Sequence, residues 1–149
     1  MSTGHDEGLQ AVARVRERRE IDSRHGLQLA LEEQRRREEA ARRYLERLQT
    51  AETFQSGSAT DFQAGRAALT SLSTALTAAQ QGVASGCLVT EAAREHWQLS
   101  KTRLNAVEML LERRAAQREA TAERARGKEL DDIGARLWLR RRPRGGDAS

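Results

Sequence analysis

The 149-residue chain has little of what ordinary compact cores are made from. Aromatic residues make up 3% of it, while 32% is charged. A domain of this length normally buries Phe, Ile, Val and Leu, and here there is little to bury beyond leucine and alanine. Proline is absent until Pro143, so long uninterrupted helices are allowed. A single cysteine, Cys87, excludes an internal disulfide. No apolar run approaches the ~20 residues needed to cross a bilayer. The polar start "MSTGHDEGLQ" lacks the basic and apolar segments of a signal peptide. A soluble, cytoplasmic protein is the expectation.

Chemical machinery is missing as well. His5, His25 and His96 are scattered, with no cysteine or carboxylate at metal-ligand spacing, and the pattern implies no histidine partner for Cys87. Gly82, Gly86 and Gly127 stand inside helical pattern rather than in a phosphate-cradling loop, and each costs its helix roughly 1 kcal/mol relative to alanine. The chain is therefore expected not to be an enzyme, with no catalytic residues, cofactor or metal.

What is present is a helix-forming alphabet of Ala, Leu, Glu, Gln and Arg, and the fold class read from it is all-α. The stretch "EEQRRREEAARRYLERL", residues 32–48, opens with eight residues that carry no apolar side chain. Glu32 and Arg36, Glu33 and Arg37, Glu38 and Arg42, and Glu39 and Arg43 stand at i,i+4 with the acid N-terminal, the favourable order, worth roughly 0.2–0.5 kcal/mol each. Beneath this charge a heptad seam continues through Leu27, Leu31, Gln34, Glu38, Ala41, Leu45 and Leu48. A second seam is clearer: Leu69, Leu72, Leu76, Ala79, Val83, Gly86, Thr90, Ala93, Trp97, Ser100, Leu104, Val107 and Leu111 alternate three and four apart without a break. Its small members, Ala79, Gly86, Ala93 and Ser100, let a partner helix come close but bury little area. The pairing should be specific and only modestly stable.

Between the seams, "TFQSGSATDFQAG" reads as a short tip, where Gly57 and the serines stop one helix and Thr60 or Asp61 caps the next. Two heptad helices with a short connection are most simply a long antiparallel two-helix coiled-coil hairpin. The expected layout is a flexible N-terminus at 1–7, a first helix at 8–55, a tip loop at 56–61, a second helix at 62–138, and a flexible basic tail at 139–149. In the expected register Leu48 meets Leu69, Leu45 meets Leu72, Leu31 lies beside Gly86, and Val12 and Leu9 lie beside Leu104 and Val107. Beyond about 115 the longer second helix then overhangs, and roughly 75 residues of helix would be on the order of 110 Å of rod.

Surplus apolar surface points to partners. Near the tip, Ala68, Ala75, Gly82 and Val89 add a flanking row to the seam, with Ala51, Phe54 and Phe62 nearby. This row is either a protein contact or a device for close packing. At the other end Arg14, Arg16, Arg18 and Arg19 accompany the charged arm "ERRAAQREATAERARGKELDDI", either a solvated face or a shaft surface that turns inside a ring without sticking. Leu130, Ile133 and Leu137, with Trp138 beside them, restore an apolar row on the overhang. The formal charge of +4 and a pI near 10.1 invite a nucleic-acid reading. Acids are interleaved with the bases except in "RLWLRRRPRGG", and no base-stacking or recognition motif is present, so no nucleic-acid partner is expected.

The segment "REHWQLSKTRLNAVEMLLERR", with Trp97, Lys101, Leu104 and the Leu110–Arg113 cluster, resembles the second helix of FliJ-type flagellar export proteins and their YscO-type injectisome relatives. "GKELDDI", "VARVRERREIDSR" and "YLERLQTAETF" are similar in kind, so the resemblance covers roughly 9–138. Asp132 stands where the family commonly has Glu, and Ala51 where tyrosines precede the tip. The resemblance implies a cytoplasmic component of the type III flagellar export apparatus, similar to the central shaft of rotary ATPases. It further implies binding to a hexameric export ATPase (FliI-like) and to the cytoplasmic domain of the export gate (FlhA-like), coupling of ATP hydrolysis to export, contact with export chaperones, and peripheral association with the inner membrane through these partners. Carried over residue by residue, the gate contact falls on Leu48, Ala51, Ala68, Leu72, Ala75 and Ala79, and the ATPase contact on the open end, at Arg14, Arg18, Arg114, Leu130, Ile133 and Leu137. The competing expectation is a structural coiled-coil adaptor or export chaperone with no ATPase partner.

Overall fold

The structure, a computed structural model, describes residues 3–51 and 56–142. Two helices account for nearly all of them: α1, Thr3–Thr50, and α2, Ala59–Arg141. They form an antiparallel helical hairpin, and no strand occurs among the described residues. The chain divides into two compact units, one built from α1 up to Ala13 and α2 from Asn105 onward, the other from Arg14–Leu104. Both helices run past the expected limits of 8–55 and 62–138 at their outer ends: α1 starts at Thr3 and α2 ends at Arg141, while α1 stops at Thr50. Phe54 lies outside the described residues, as does the arginine-rich tail from Pro143.

Local chemistry explains where the helices stop and start. At the end of α1 the Thr50 hydroxyl donates to the Glu46 carbonyl at 2.8 Å, closing one acceptor that the last turn leaves open. Gly57 has a φ of 148°, a conformation an L side chain rarely adopts, so the turn requires glycine there. The cap of α2 is neither Thr60 nor Asp61. Ser58 holds the capping position, with the Asp61 N–H donating to Ser58 Oγ at 3.2 Å. Asp61 reaches back, its carboxylate accepting from the Ser58 N–H at 3.0 Å and the Ser58 hydroxyl at 2.7 Å. This is a reciprocal box with aspartate in the place usually taken by Glu or Gln. The Ser58 hydroxyl and N–H hold the Asp61 carboxyl below its ordinary 3.8. At its far end α2 closes with the Arg142 N–H donating to the Trp138 carbonyl at 3.2 Å, just before Pro143.

In the Arg14–Leu104 unit the second seam is occupied as the heptads require. Leu72, Leu76, Ala79, Val83, Ala93, Trp97 and Leu104 are half-buried, and Gly86, Thr90 and Ser100 are buried, whereas Leu69 at the tip stays 38% exposed. Among the described residues no hydrophobic side chain is fully buried; the buried side chains are the hydroxyls Ser23, Thr90 and Ser100. Gly86 packs tightly against α1: an added Cβ there would meet Arg37 Cδ at 3.3 Å and Gln34 Cα at 3.9 Å. One turn away the Thr90 hydroxyl donates to the Ala30 carbonyl at 3.4 Å.

These contacts correct the register. Gly86 faces Gln34 and Arg37, about one helical turn further along α1 than the expected Leu31. Polar pairs hold it there: Arg37 Nη1 donates to the Gly82 carbonyl at 3.1 Å, and Trp97 Nε1 donates to Glu20 Oε1 at 2.8 Å. Of the four expected i,i+4 pairs, Glu33–Arg37 closes at 3.1 Å, while Glu38 accepts from Gln34 at 2.8 Å. The tip half of α2 is rich in Ser and Thr and is helical throughout, with Thr70, Thr74, Thr77 and Ser85 each returning their hydroxyl to the carbonyl four residues back.

In the other unit Leu9, Ala13, Val107, Leu111 and Arg114 are half-buried. Val12, expected in the seam, is 44% exposed, because Leu9 and Ala13 occupy the four-residue step that faces α2. Asp6 in the first turn of α1 accepts from Arg114 at 3.4 Å and pairs with Arg118. The pairing therefore reaches one turn beyond the expected limit near 115. From Ala115 to Arg142 every residue is exposed.

Two outcomes test this packing. A Cβ on Gly82 meets nothing within 4 Å, so Gly82→Ala should raise stability by about 0.5–1 kcal/mol through helix propensity. Gly86→Leu must displace Arg37 and push the helices apart, and should lower stability by about 1–3 kcal/mol in urea unfolding followed at the helix band. The cap makes a pH-dependent prediction. A lowered folded-state pKa stabilises above the unfolded carboxylate range and is lost as pH falls through the folded value. The Asp61 carboxyl should therefore titrate below ordinary aspartate by NMR, and Ser58→Ala should move that midpoint up.

Candidate functional site

The residues expected to meet an export gate all lie in the Arg14–Leu104 unit, but they do not form one free face. Leu72 and Ala79 are half-buried in the seam, and Leu48 is half-buried at the end of α1. Leu48 shares a surface groove near the tip with Arg66, Leu69, Thr70, Ser73 and Thr74. Ala51 follows the end of α1 and is half-buried. Ala68 is exposed and Ala75 half-buried, on the flanking row that continues through Gly82 to Val89, which is 59% exposed. The hairpin thus consumes the seam residues of this set and leaves the flanking alanines accessible.

The residues expected to meet an ATPase are divided between the two units, and each group stands by itself. Arg14 and Arg18 are exposed on α1, with Arg18 Nε 3.4 Å from Asp22 Oδ1. In the other unit Arg114 is turned toward Asp6. Leu130, Ile133 and Leu137 are 69%, 52% and 51% exposed, and Trp138 60%. Spacings of three and four put Leu130, Ile133 and Leu137 along one side of α2. Arg142 lies 5.2 Å from the Trp138 ring centroid, a cation held over an aromatic face at the end of the helix. The row has no partner helix among the described residues.

Heptad reading did not find a polar cluster around Trp97. The Glu20 carboxylate accepts from the Trp97 indole, sits 3.6 Å from Arg24, and keeps only 12% of its side-chain surface. Lys101 Nζ lies 5.2 Å from the Trp97 ring centroid. The signal was available: Arg16 and Glu20 fall at the three-and-four spacing that leads to Ser23 and Leu27, so charged residues occupied seam places. Cys87 is free and half-buried, and among the described residues no three His, Cys, Asp or Glu side chains are placed to hold a metal. Among the described residues no helix is long and apolar enough to cross a membrane.

No curated protein and no solved structure matches the chain. The family model of the flagellar FliJ protein matches residues 5–143, which spans both helices and the tip. That family is a component of flagellum biogenesis and protein export and is not a known enzyme family. The chain belongs to the flagellar FliJ protein family, and its place is in the flagellar export apparatus.

Proposed function

We propose that the protein is the coiled-coil shaft of the exporter: it binds the hexameric export ATPase and the export gate, and couples ATP hydrolysis to protein export at the cytoplasmic face of the membrane. The observation that carries this reading is the stretch of α2 beyond Arg118. A helix with charged residues on most sides and a row at Leu130, Ile133 and Leu137 left open is suited to a groove or ring supplied by a larger partner. Arg14 and Arg18 offer a second, purely electrostatic surface to the same ring. Exposed ion pairs are individually weak, so such a surface gives contact without locking. The gate contact is assigned to Ala68 and Ala75, the accessible members of the tip set on α2, with Leu48 at the end of α1 and Ala51 just beyond it. Leu72 and Ala79 support that surface from within the seam. Chemotaxis, contact with chaperones and peripheral membrane association follow from this role through the partners.

The purified full-length protein should raise the ATPase activity and ring assembly of its cognate export ATPase without hydrolysing ATP itself. Replacing Leu130 and Ile133 together with Asp should reduce that stimulation by about tenfold, the loss expected for an apolar anchor. Ala68→Glu should weaken gate binding while leaving ATPase stimulation intact. An ATPase whose activity and assembly are indifferent to the protein would favour the adaptor or chaperone role instead.

A further inference from the structure

The Arg14–Leu104 unit has a surface that neither the ATPase nor the gate reading uses. On one side of the hairpin an open groove of about 520 Å³ runs between α1 and α2. Its floor is made of side chains too small to fill it: Gly26 and Ala30 from α1, Ala93 and Ser100 from α2. A Cβ built on Gly26 would meet nothing within 4 Å, so the space above it is open. Val89 also lines the groove and is 59% exposed.

Ser100 adds a hydroxyl to the lining of the groove. It keeps only 9% of its surface and lines the groove, and its hydroxyl has no hydrogen-bond partner among the described residues. Thr90, buried in the same seam, uses its hydroxyl on Ala30, and Ser23 uses its own on the Glu20 carbonyl at 2.9 Å. Among the described residues no side-chain N or O atom is both fully buried and unpartnered, so the Ser100 hydroxyl stays reachable from the groove.

Charge identifies the occupant. Arg16 and Arg19 border the groove on α1, and Arg103 and His96 border it on α2. The one carboxylate among the lining residues, Asp22, already faces Arg18 at 3.4 Å. We propose that this groove is the docking site for an acidic α-helix of a partner protein, laid against α1 and α2 as a third helix. The partner presents Ala, Gly or Ser to the floor, which allows close backbone approach, and Asp or Glu on both flanks to meet Arg16 and Arg19 on one side and Arg103 on the other. A polar atom on its inner face pairs with the Ser100 hydroxyl. A nucleic-acid strand is a poorer match, because the Gly26, Ala30 and Ala93 floor offers a phosphate chain nothing. This assignment does not depend on how the ATPase and gate are bound.

The test titrates the full-length protein into a fluorescently labelled alanine-based helical peptide of about 20 residues, long enough to hold helix in water, with glutamates along two flanks. A lysine-flanked counterpart and a single-stranded oligonucleotide serve as comparisons. The glutamate peptide should bind and the lysine peptide should not. Gly26→Leu places a side chain in the groove at a position where an added Cβ meets nothing within 4 Å, and should weaken binding about tenfold. Arg19→Glu with Arg103→Glu, both on the exposed rim, should weaken it as much and flatten its salt dependence. Circular dichroism of both variants should match the parent. The proposal is overturned by no binding of the glutamate peptide, by equal binding of both peptides, by Gly26→Leu leaving affinity unchanged, or by the oligonucleotide binding with the same dependence on these residues.

Discussion

The approach of α1 to α2 at Gly86 is the constraint on which the Arg14–Leu104 unit depends. Most hairpins of this kind are held by large apolar side chains interlocking across the seam. Here the tightest layers carry glycine and hydroxyls, and leucines contribute only half-buried surface on either side. Half-burial of a leucine is worth roughly half of the 1.5–3 kcal/mol that full burial provides. The missing area is offset by directional contacts that close approach makes available: Thr90 to the Ala30 carbonyl, Arg37 to the Gly82 carbonyl, and Trp97 to Glu20. Two of these involve a charged group, Arg37 and Glu20, and a hydrogen bond of that kind contributes about 1.5–3 kcal/mol, comparable to burying one leucine.

The same economy shapes what the surface can do. Because small residues line the contact on both helices, a groove remains beside them, and flanking alanines toward the tip remain accessible. A seam built from large residues would have consumed that surface. In the unit that joins the start of α1 to the later part of α2, the ion pairs of Asp6 with Arg114 and Arg118 mark the last place where the helices meet. Beyond it α2 continues with Leu130, Ile133 and Leu137 open, as expected of a helix whose apolar row is completed by another protein.

Much of this was legible in the amino-acid order. The unbroken three-and-four alternation from Leu72 to Leu111 marks the residues that the structure buries or half-buries, because periodicity decides which face of a helix turns inward. Register was not legible. Leucine, alanine and glycine layers can slide past one another by a turn at little cost, so the pattern alone paired Gly86 with Leu31. The pairs that select Gln34 instead are polar, long-range and specific, and heptad counting does not contain them. The cap was legible only in kind. Asp61 was visible as a capping residue, but the pair Ser58 and Asp61 divides the role, since the serine hydroxyl can both accept from the helix and donate to the carboxylate. For the partner set, sequence pointed to a patch near the tip, yet could not separate Ala68, left exposed, from Leu72 and Ala79, which the seam takes.

The most direct test of the central claim is a cysteine pair across the contact at Gly86, introduced with Cys87→Ser so that no native thiol competes. A Cβ on Gly86 would lie 3.9 Å from Gln34 Cα, a separation compatible with a disulfide. Oxidation of the protein carrying Gln34→Cys and Gly86→Cys should close an intramolecular bond in the monomer. Efficient closure of Leu31→Cys with Gly86→Cys in its place, or bonds formed only between molecules, would contradict the account.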